Sequence, residues 1–203
     1  MKKISIASLL ILTNLSVTTI SLEAHANDIW LQGRVVGVTD GDTITILELN
    51  NQQHEVRLSN VDSPETSCHA RKPSYHDEKC IEFGQPFGKA AKKSLSKMIY
   101  GKVVQVKLQT TRQNKIQKTF NRPLGTVYFN QIDINFEQVR NGFAWHEASF
   151  GKKNQSAEDF LKYSEAHKYA KEHRYGLWKE DNPLPPWQYR KSKNAKYITV
   201  NNQ

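Results

Sequence analysis

The chain has 203 residues, with 29 Lys and Arg against 20 Asp and Glu, a formal net charge of +9 and a pI near 9.5. Beyond the N-terminal region no segment is apolar enough to span a bilayer, which argues against an integral membrane protein. The positive excess attracts polyanions, of which nucleic acid is the obvious one, although a generic basic protein or a cell-surface protein has the same charge.

The first predicted element is a secretory signal peptide over residues 1–26. Met1-Lys2-Lys3 is positively charged, residues 4–20 are mostly apolar or small, and Ala24-His25-Ala26 fits an A-x-A cleavage site. A membrane anchor is the alternative, but polar residues dilute the apolar run. Cleavage would release residues 27–203 to the periplasm or the medium, as a chain of 177 residues with net charge +8. That length favours one domain with a real core. We also expect the mature chain to have no contact with the membrane.

Residues 27–61 predict a meander of three strands. The turn Asp40-Gly41-Asp42 separates the first run of β-forming residues from the second, which spans residues 43–49. A second turn at Asn50-Asn51 leads to residues 54–61, where apolar and polar side chains alternate. Three meandering strands indicate an antiparallel sheet or a barrel.

The rest of the chain alternates helices and strands. A polar loop is predicted over 63–82, followed by a helix from Pro86 to Gly101 and by strands over 103–108 and 125–134, with a turn near Asn130-Gln131. A short helix over 136–142 comes next, and then a second helix that Ser156 and Asp159 cap and that ends before Gly176. The chain finishes with an extended run over 183–186 and a basic tail over 191–203 that we expect to be disordered. These elements predict an α+β fold, namely a five-stranded OB-like β-barrel with about three α-helices. Barrels of this type bind oligonucleotides on one face and adjacent loops.

Two cysteines, Cys68 and Cys80, lie in the predicted loop. In an exported protein a lone pair of cysteines usually forms a disulfide, and we expect one here. A zinc site that adds His69 and His76 is the alternative. It fits less well, because structural zinc sites favour regular ligand spacing rather than adjacent Cys and His.

Four carboxylates fall in turns or at strand ends: Asp40, Asp42, Asp62 and Glu65. Asp42 begins one hairpin strand and Asp62 ends the neighbouring one, so the two could share a cation, because adjacent strands lie about 5 Å apart. Oxygen ligands of this kind suit calcium or magnesium. Solvated turn carboxylates are commoner than metal sites, and we interpret Asp40 as structural.

Two arginines raise the case for phosphate chemistry. Arg57 lies on the strand that leads to Asp62, and Arg122 precedes the fifth strand. The forked guanidinium suits phosphate oxygens. Arg57 could equally be an exposed strand residue or the ion-pair partner of Glu55 or Asp62.

Two motifs together resemble the thermonuclease, or staphylococcal nuclease-like, family. They are Val38-Thr39-Asp40-Gly41-Asp42-Thr43 and the run from Arg57-Leu58-Ser59-Asn60-Val61 to Asp62-Ser63-Pro64-Glu65-Thr66. Further matches are Phe83-Gly84-Gln85-Pro86-Phe87-Gly88, Asn141-Gly142-Phe143-Ala144-Trp145, Gly176-Leu177-Trp178 and Pro185-Pro186-Trp187. The resemblance runs from about Gly33 to Arg190, nearly the whole of the expected mature chain.

The resemblance implies an OB-like barrel and a calcium-dependent nuclease that cleaves DNA and RNA, leaving 5′-hydroxyl and 3′-phosphate ends. By this resemblance the calcium ligands fall on Asp42, Asp62 and the backbone carbonyl of Ser63, where Thr is usual. The catalytic residues fall on Arg57, Glu65 and Arg122, and the two arginines also bind substrate. The chemistry fits these residue types, because negative charge builds on the phosphoryl oxygens during attack.

The sequence departs from the family pattern beside the second arginine. Thr119-Phe120 replaces a substrate-contacting Lys-Tyr pair, and Phe120 is expected to stack on a base without donating a hydroxyl. The family's later tyrosines fall near Ala148 and Phe150. Pro123 replaces a glycine, and the run from Cys68 to Cys80 is an insertion.

Three functions follow from these patterns. We favour a monomeric exported nuclease with a domain over residues 27–190. The first alternative is a non-catalytic OB module that binds nucleic acid, which would have lost some of the catalytic residues; all of them are present here. The second is a periplasmic metal buffer, for which one cation site and no acidic run give little support.

Overall fold

The computed structural model describes residues 28–66 and 84–192. Its centre is a β-barrel built from five strands, and its first three strands form the meander that the sequence predicts: β1 (Trp30–Val38), β2 (Thr43–Leu47) and β3 (Gln53–Leu58). They pair antiparallel in that order. A two-residue strand, β4 (Val61–Asp62), follows directly.

The barrel closes through a parallel seam. After helix α1 (Gly88–Ile99), strand β5 (Val103–Leu108) pairs with β1, and β7 (Arg122–Phe129) pairs with β5. The short strand β6 (Lys118–Thr119) forms a hairpin with β7. Strand β7 then meets β3 in parallel, with Arg57 opposite Leu124. This seam brings the strand of Arg57 beside the strand of Arg122.

The second half of the chain is mainly helical. Strand β8 (Ile132–Asp133) leads into α2 (Ile134–Arg140), and β9 (Trp145–His146) pairs with β4. Helices α3 (Ala148–Asn154) and α4 (Ala157–Glu172) follow, then a 3-10 helix (Gly176–Lys179) and a helical turn over residues 186–192. Ser156 caps α4 by accepting a hydrogen bond from the Asp159 N–H at 3.0 Å, as the capping pattern predicts.

Apolar side chains inside the barrel pack against α1, α2 and α4. The fully buried ones include Ile44, Ile46, Leu58, Val106, Val127, Leu95 and Ile99. Two buried amides on α2 tie the loops to this core: Gln138 donates to the Gly41 carbonyl at 2.7 Å, and Asn135 donates to the Ser59 and Gly125 carbonyls. Buried polar groups of this kind fix a loop in one position, because leaving them unpaired is costly.

The predicted fold is confirmed, with three differences in detail. The first helix begins at Gly88 rather than near Pro86, because Phe87 adopts a left-handed backbone with φ of 64°. The fifth strand starts earlier than predicted, at Arg122, whereas its predicted turn is found at Asn130-Gln131, where both residues have positive φ. Helix α3 and the helical turn over 186–192, two residues of which fall in the expected tail, were not predicted.

The predictions that lie outside the described residues are the signal peptide over 1–26, the pairing of Cys68 with Cys80 and its zinc alternative, and the tail from residue 193 onward. Among the residues that are described, no helix is long and apolar enough to cross a membrane.

Candidate active site

The site is built around one guanidinium that bridges two buried carboxylates. Arg57 donates from Nη1 to Asp42 Oδ1 at 2.9 Å and from Nη2 to Asp62 Oδ1 at 2.8 Å. Asp42 and Asp62 are 2% and 3% exposed. A single cationic group, the Arg57 guanidinium, therefore contacts both carboxylates.

The turn before β2 aims Asp42 into the site. The Asp42 N–H donates to Asp40 Oδ1 at 3.0 Å, so Asp40 acts within its own turn, as the sequence indicates. Asp42 Oδ2 accepts from the Ser63 N–H at 2.9 Å, while Asp42 Oδ1 also accepts from the Thr43 hydroxyl at 3.1 Å. The backbone of Ser63 therefore lies against the carboxylate of Asp42, which the family resemblance also assigns to the calcium site.

Burial makes these carboxylates hard to ionise. It raises the pKa of Asp42 to about 7, against the lowering effect of the Arg57 charge. Burial also raises the pKa of Asp62, although Arg190 and Arg57 act in the opposite direction. Burial acts to lower the pKa of Arg57, but the charges of Asp42 and Asp62 outweigh it and raise that pKa. The cluster is thus an acidic pocket that further positive charge would stabilise.

The backbone of Glu65 is held by the segment that precedes α1. Gln85 donates its N–H to the Glu65 carbonyl at 2.9 Å, and its side-chain oxygen accepts from the Glu65 N–H at 3.0 Å. Gly88 completes the contact, because a Cβ there would lie 2.2 Å from the Glu65 carbonyl oxygen. Residues 84–88 of this motif thus support Glu65, which is 6% exposed.

A third arginine enters the site from the C-terminal end of the chain. Arg190 donates from Nη1 to Glu65 Oε1 at 2.7 Å and from Nη2 to Asp62 Oδ2 at 2.7 Å. Its Nη1 also lies 3.1 Å from Asp62 Oδ1. Sequence reasoning placed Arg190 at the boundary of the tail and missed this role; Pro185-Pro186-Trp187 just before it was the available signal of a fixed conformation.

Arg122 lies at the edge of this cluster rather than within it. Its Nη1 is 3.4 Å from the Thr43 hydroxyl, and that hydroxyl donates to Asp42. Its Nε is buried and has no hydrogen-bond partner within the described ranges 28–66 and 84–192. A buried donor in this state suits an anionic ligand, because an unpaired buried N–H is costly.

A cleft of about 260 Å³ opens beside the carboxylates. Arg57, Asp62, Thr119, Glu147, Phe150, Trp187 and Arg190 are among its lining residues. Phe120 is not one of them: it is 91% exposed at the tip of the β6–β7 turn, where its φ is 47°. The structure therefore places Phe150, and not Phe120, at the cleft.

Comparison with known proteins decides the family. Residues 55–180 match the model of the family described as staphylococcal nuclease homologue, which covers more than half of the chain. The chain belongs to this family. A micrococcal nuclease of Shigella flexneri is 32% identical over 95% of this chain and 98% of its own length. An uncharacterized endonuclease of Haemophilus influenzae is 32% identical over 78% of this chain and 72% of its own length.

A more distant relative is a staphylococcal-like nuclease of Arabidopsis thaliana, which is 28% identical over 73% of this chain and 36% of its own length. The staphylococcal nuclease homologue described here is accordingly a hydrolase that acts as a nuclease. Asp42 and Arg190 both lie outside the matched span of residues 55–180.

Asp42 and Asp62 are the candidate ligands for the predicted calcium ion. In the part of the chain that the structure describes, no group of three or more His, Cys, Asp or Glu side chains is arranged to hold a metal ion. The two carboxylates Asp42 and Asp62 are hard oxygen donors, and they already contact a cationic group. Two hard oxygen donors of this kind suit calcium or magnesium and give no support to a zinc site.

Proposed function

We propose that the protein is a calcium-dependent nuclease that hydrolyses phosphodiester bonds in DNA and RNA and leaves 5′-hydroxyl and 3′-phosphate ends. The observation that supports it best is the bridge from Arg57 to Asp42 and Asp62, with Glu65 held beside it by Arg190. A buried acidic pocket beside several arginines suits an enzyme that must bind a cation and a phosphate together.

Asp42, Asp62 and the backbone of Ser63 would hold the calcium ion. The raised pKa of Asp42 and of Asp62 supports this assignment, since a cation relieves the cost of burying their charges. When bound, calcium would supply positive charge where the phosphoryl oxygens become more negative. Calcium tolerates irregular oxygen coordination better than magnesium does, so magnesium should substitute poorly.

Arg57 and Arg122 bind and neutralise the phosphate in this proposal. Arg57 is held on the barrel seam by two charge-assisted hydrogen bonds, so it is already oriented towards the acidic pocket. The unpartnered Nε of Arg122 gives that side chain a donor for a phosphate oxygen. Glu65 accepts the proton of the attacking water or orients that water.

The cleft accounts for substrate binding. Phe150 and Trp187 lie on its walls beside Arg57 and Arg190, so a base can stack on an aromatic ring while its phosphate meets a guanidinium. The exposed ring of Phe120 lies on the adjacent hairpin and offers a further stacking surface at the rim. Stacking and phosphate contacts read no particular base, which suits activity on both DNA and RNA.

The test is cleavage of single-stranded DNA, duplex DNA and RNA by the purified protein, with calcium, with magnesium or with excess chelator. We expect all three substrates to be cut in calcium, and end analysis to show 3′-phosphate. Equal cleavage in chelator would refute the calcium assignment, and 5′-phosphate ends would refute the proposed direction of cleavage.

We also propose that the protein acts outside the cytoplasm, after cleavage near Ala26. The proposal rests on the sequence of residues 1–26 alone. N-terminal sequencing of the protein recovered from periplasm and medium should begin at Asn27. Recovery of intact Met1 from those fractions would contradict it.

A further inference from the structure

The C-terminal segment, residues 184–192, is anchored to the site at three places. The Gln85 side chain donates to the Leu184 carbonyl at 2.9 Å. The Trp187 ring packs edge-on against Trp145, with ring centres 6.3 Å apart. The third anchor is Arg190, which forms ion pairs with Asp62 and Glu65.

These anchors converge on Glu65. Gln85 binds both the N–H and the carbonyl of Glu65, and the same side chain binds the C-terminal segment. Trp145 pairs in register with Asp62 across β4 and β9, so the Trp187 contact leads to the same carboxylates. The segment is therefore linked to the backbone of Glu65 through Gln85, and it contacts the side chain of Glu65 through Arg190.

Arg190 is suited to orienting carboxylates rather than to general attraction of nucleic acid. Its two terminal nitrogens contact oxygens of two different carboxylates, at 2.7 Å each, which fixes the plane of the guanidinium. The bonds to Asp62 and Glu65 raise its pKa although burial alone would lower it. Lys191, the next residue, is exposed and offers a comparison that carries charge alone.

We propose that Arg190 is a positioning residue of the nuclease site, which holds the carboxylates of Glu65 and Asp62 in their working geometry, and that the C-terminal segment is thereby a functional part of the enzyme. This inference rests on the proposed role of Glu65. It assigns to residues beyond the matched span 55–180 a function in the reaction itself.

The experiment compares Arg190→Gln with the matched control Lys191→Gln in calcium, on a defined oligonucleotide. Each variant loses one positive charge, and the two positions are adjacent. Arg190→Gln should lower kcat by about ten- to a hundred-fold with KM changed little, the scale expected for a misplaced catalytic group. Lys191→Gln should keep the kcat of the wild type.

Further measurements separate positioning from folding. Arg190→Lys should recover part of the lost kcat, because it restores the charge without the fork. Guanidinium ion at millimolar concentration should raise the kcat of Arg190→Ala and leave the wild type unchanged. Thermal unfolding and calcium titration by calorimetry should show a folded protein that still binds calcium in each variant.

The inference is overturned if Arg190→Gln turns over like the wild type, if it turns over faster, or if Lys191→Gln loses as much. Tighter calcium binding together with faster turnover would show instead that Arg190 blocks the carboxylates. In each of these cases Glu65→Gln remains the separate test of the proposed function, since its loss of activity does not depend on Arg190.

Discussion

Arg57 and Arg122 differ in how much of their hydrogen-bonding capacity the folded protein uses, and the difference bears on their roles. Arg57 donates hydrogen bonds to both Asp42 and Asp62, so it orients these two carboxylates as well as facing the pocket. Arg122 has one long contact, to Thr43 at 3.4 Å, and a buried Nε without a partner in the described part of the chain. Arg122 therefore has more to gain from a bound phosphate.

We predict that Arg57→Ala, Arg122→Ala and Glu65→Gln each lower kcat by on the order of 10² or more, the usual scale for such groups. Steady-state kinetics in saturating calcium measures the effect, with the exposed Arg140→Ala as the control for loss of an arginine. A variant with the turnover of the wild type would remove that residue from the catalytic set. Arg57→Ala should also unfold more easily without calcium, because it leaves the buried carboxylate of Asp42 without its guanidinium partner and Asp62 paired with Arg190 alone.

The partly buried imidazole of His167 predicts acid sensitivity away from the site. Burial lowers the pKa of His167 to about 4 from 6.5, with smaller contributions from the charges of His146 and Lys171. The unfolded chain therefore takes up a proton at a higher pH than the folded protein does. This group's contribution to stability is present above pH 6.5 and is lost as the pH falls towards about 4.

The measurement is urea unfolding of the wild type and of His167→Gln across that range. The variant should lose less stability on acidification than the wild type, while the exposed His173→Gln should behave like the wild type. Identical pH dependence in the wild type and His167→Gln would show that another group dominates.

The site residues divide by how far local sequence specifies them. Four of them lie within 24 residues of one another in chain order: Asp42, Arg57, Asp62 and Glu65. They belong to a meander whose turns contain Asp, Asn and Gly, so their convergence was predictable. Arg190 lies 125 positions from Glu65, and its place depends on how Leu184 and Trp187 pack. No periodic pattern encodes such a contact.

At the scale of elements, the turn that carries Asp42 is wedged between α1 and the loop after β4. A Cβ at Gly41 would lie 2.7 Å from Ala91 Cβ and from Ser63 Cβ. The Gly41 carbonyl is held in turn by Gln138 of α2. The barrel thus fixes the site through helices that carry none of the predicted catalytic residues.

We predict that Gly41→Ala lowers both stability and activity. The added methyl must displace the turn, at a cost of about 1–3 kcal/mol for overpacking, and Asp42 moves with it. Chemical denaturation and calcium titration measure the two effects. Gly101→Ala tests the opposite case: its positive φ strains any replacement, but it meets nothing within 4 Å, so calcium binding should survive there.

The loop after Glu65 carries a further prediction, that Cys68 and Cys80 are bonded to each other. Closing so short a loop would lower the entropy of the denatured state and so raise its free energy by roughly 3 kcal/mol in the chain-entropy model. Thiol titration under denaturing, non-reducing conditions measures it; two free thiols would contradict it and revive the zinc alternative. The double variant Cys68→Ser, Cys80→Ser should then loosen Glu65 and lower kcat, and unchanged kinetics would leave the bond without a role in the site.

Elements with strong local signals were predicted, and those that depend on distant contacts were not. Alternating apolar residues and Asp-Gly or Asn-Asn turns specify β1 to β3, and Ser156 with Asp159 specifies the start of α4. Helix α3 buries only Gly151, so it has no apolar face for a pattern to reveal. The parallel pairing of β3 with β7 closes the barrel across a long stretch of chain, which no local pattern encodes.

At the scale of the whole molecule, the barrel seam and the C-terminal segment meet at one cleft. The seam brings Arg57 and Arg122 onto neighbouring strands, and the segment brings Arg190 to the same carboxylates from the other end of the chain. With a net charge of +9 over the full chain, these local arginines lie within a molecule that attracts polyanions as a whole. General attraction and local recognition therefore act in the same direction.

In the proposed function, Asp42 and Asp62 hold one calcium ion on which cleavage depends. The most direct measurement is calcium titration by calorimetry, paired with cleavage of the same oligonucleotide, for the wild type and for Asp42→Asn, Asp62→Asn. The wild type should bind one calcium ion and cut only when it is bound, whereas the double variant should fold, bind none and leave the oligonucleotide intact. Cleavage by the wild type in excess chelator, or calcium binding and cleavage by the double variant, would contradict the claim.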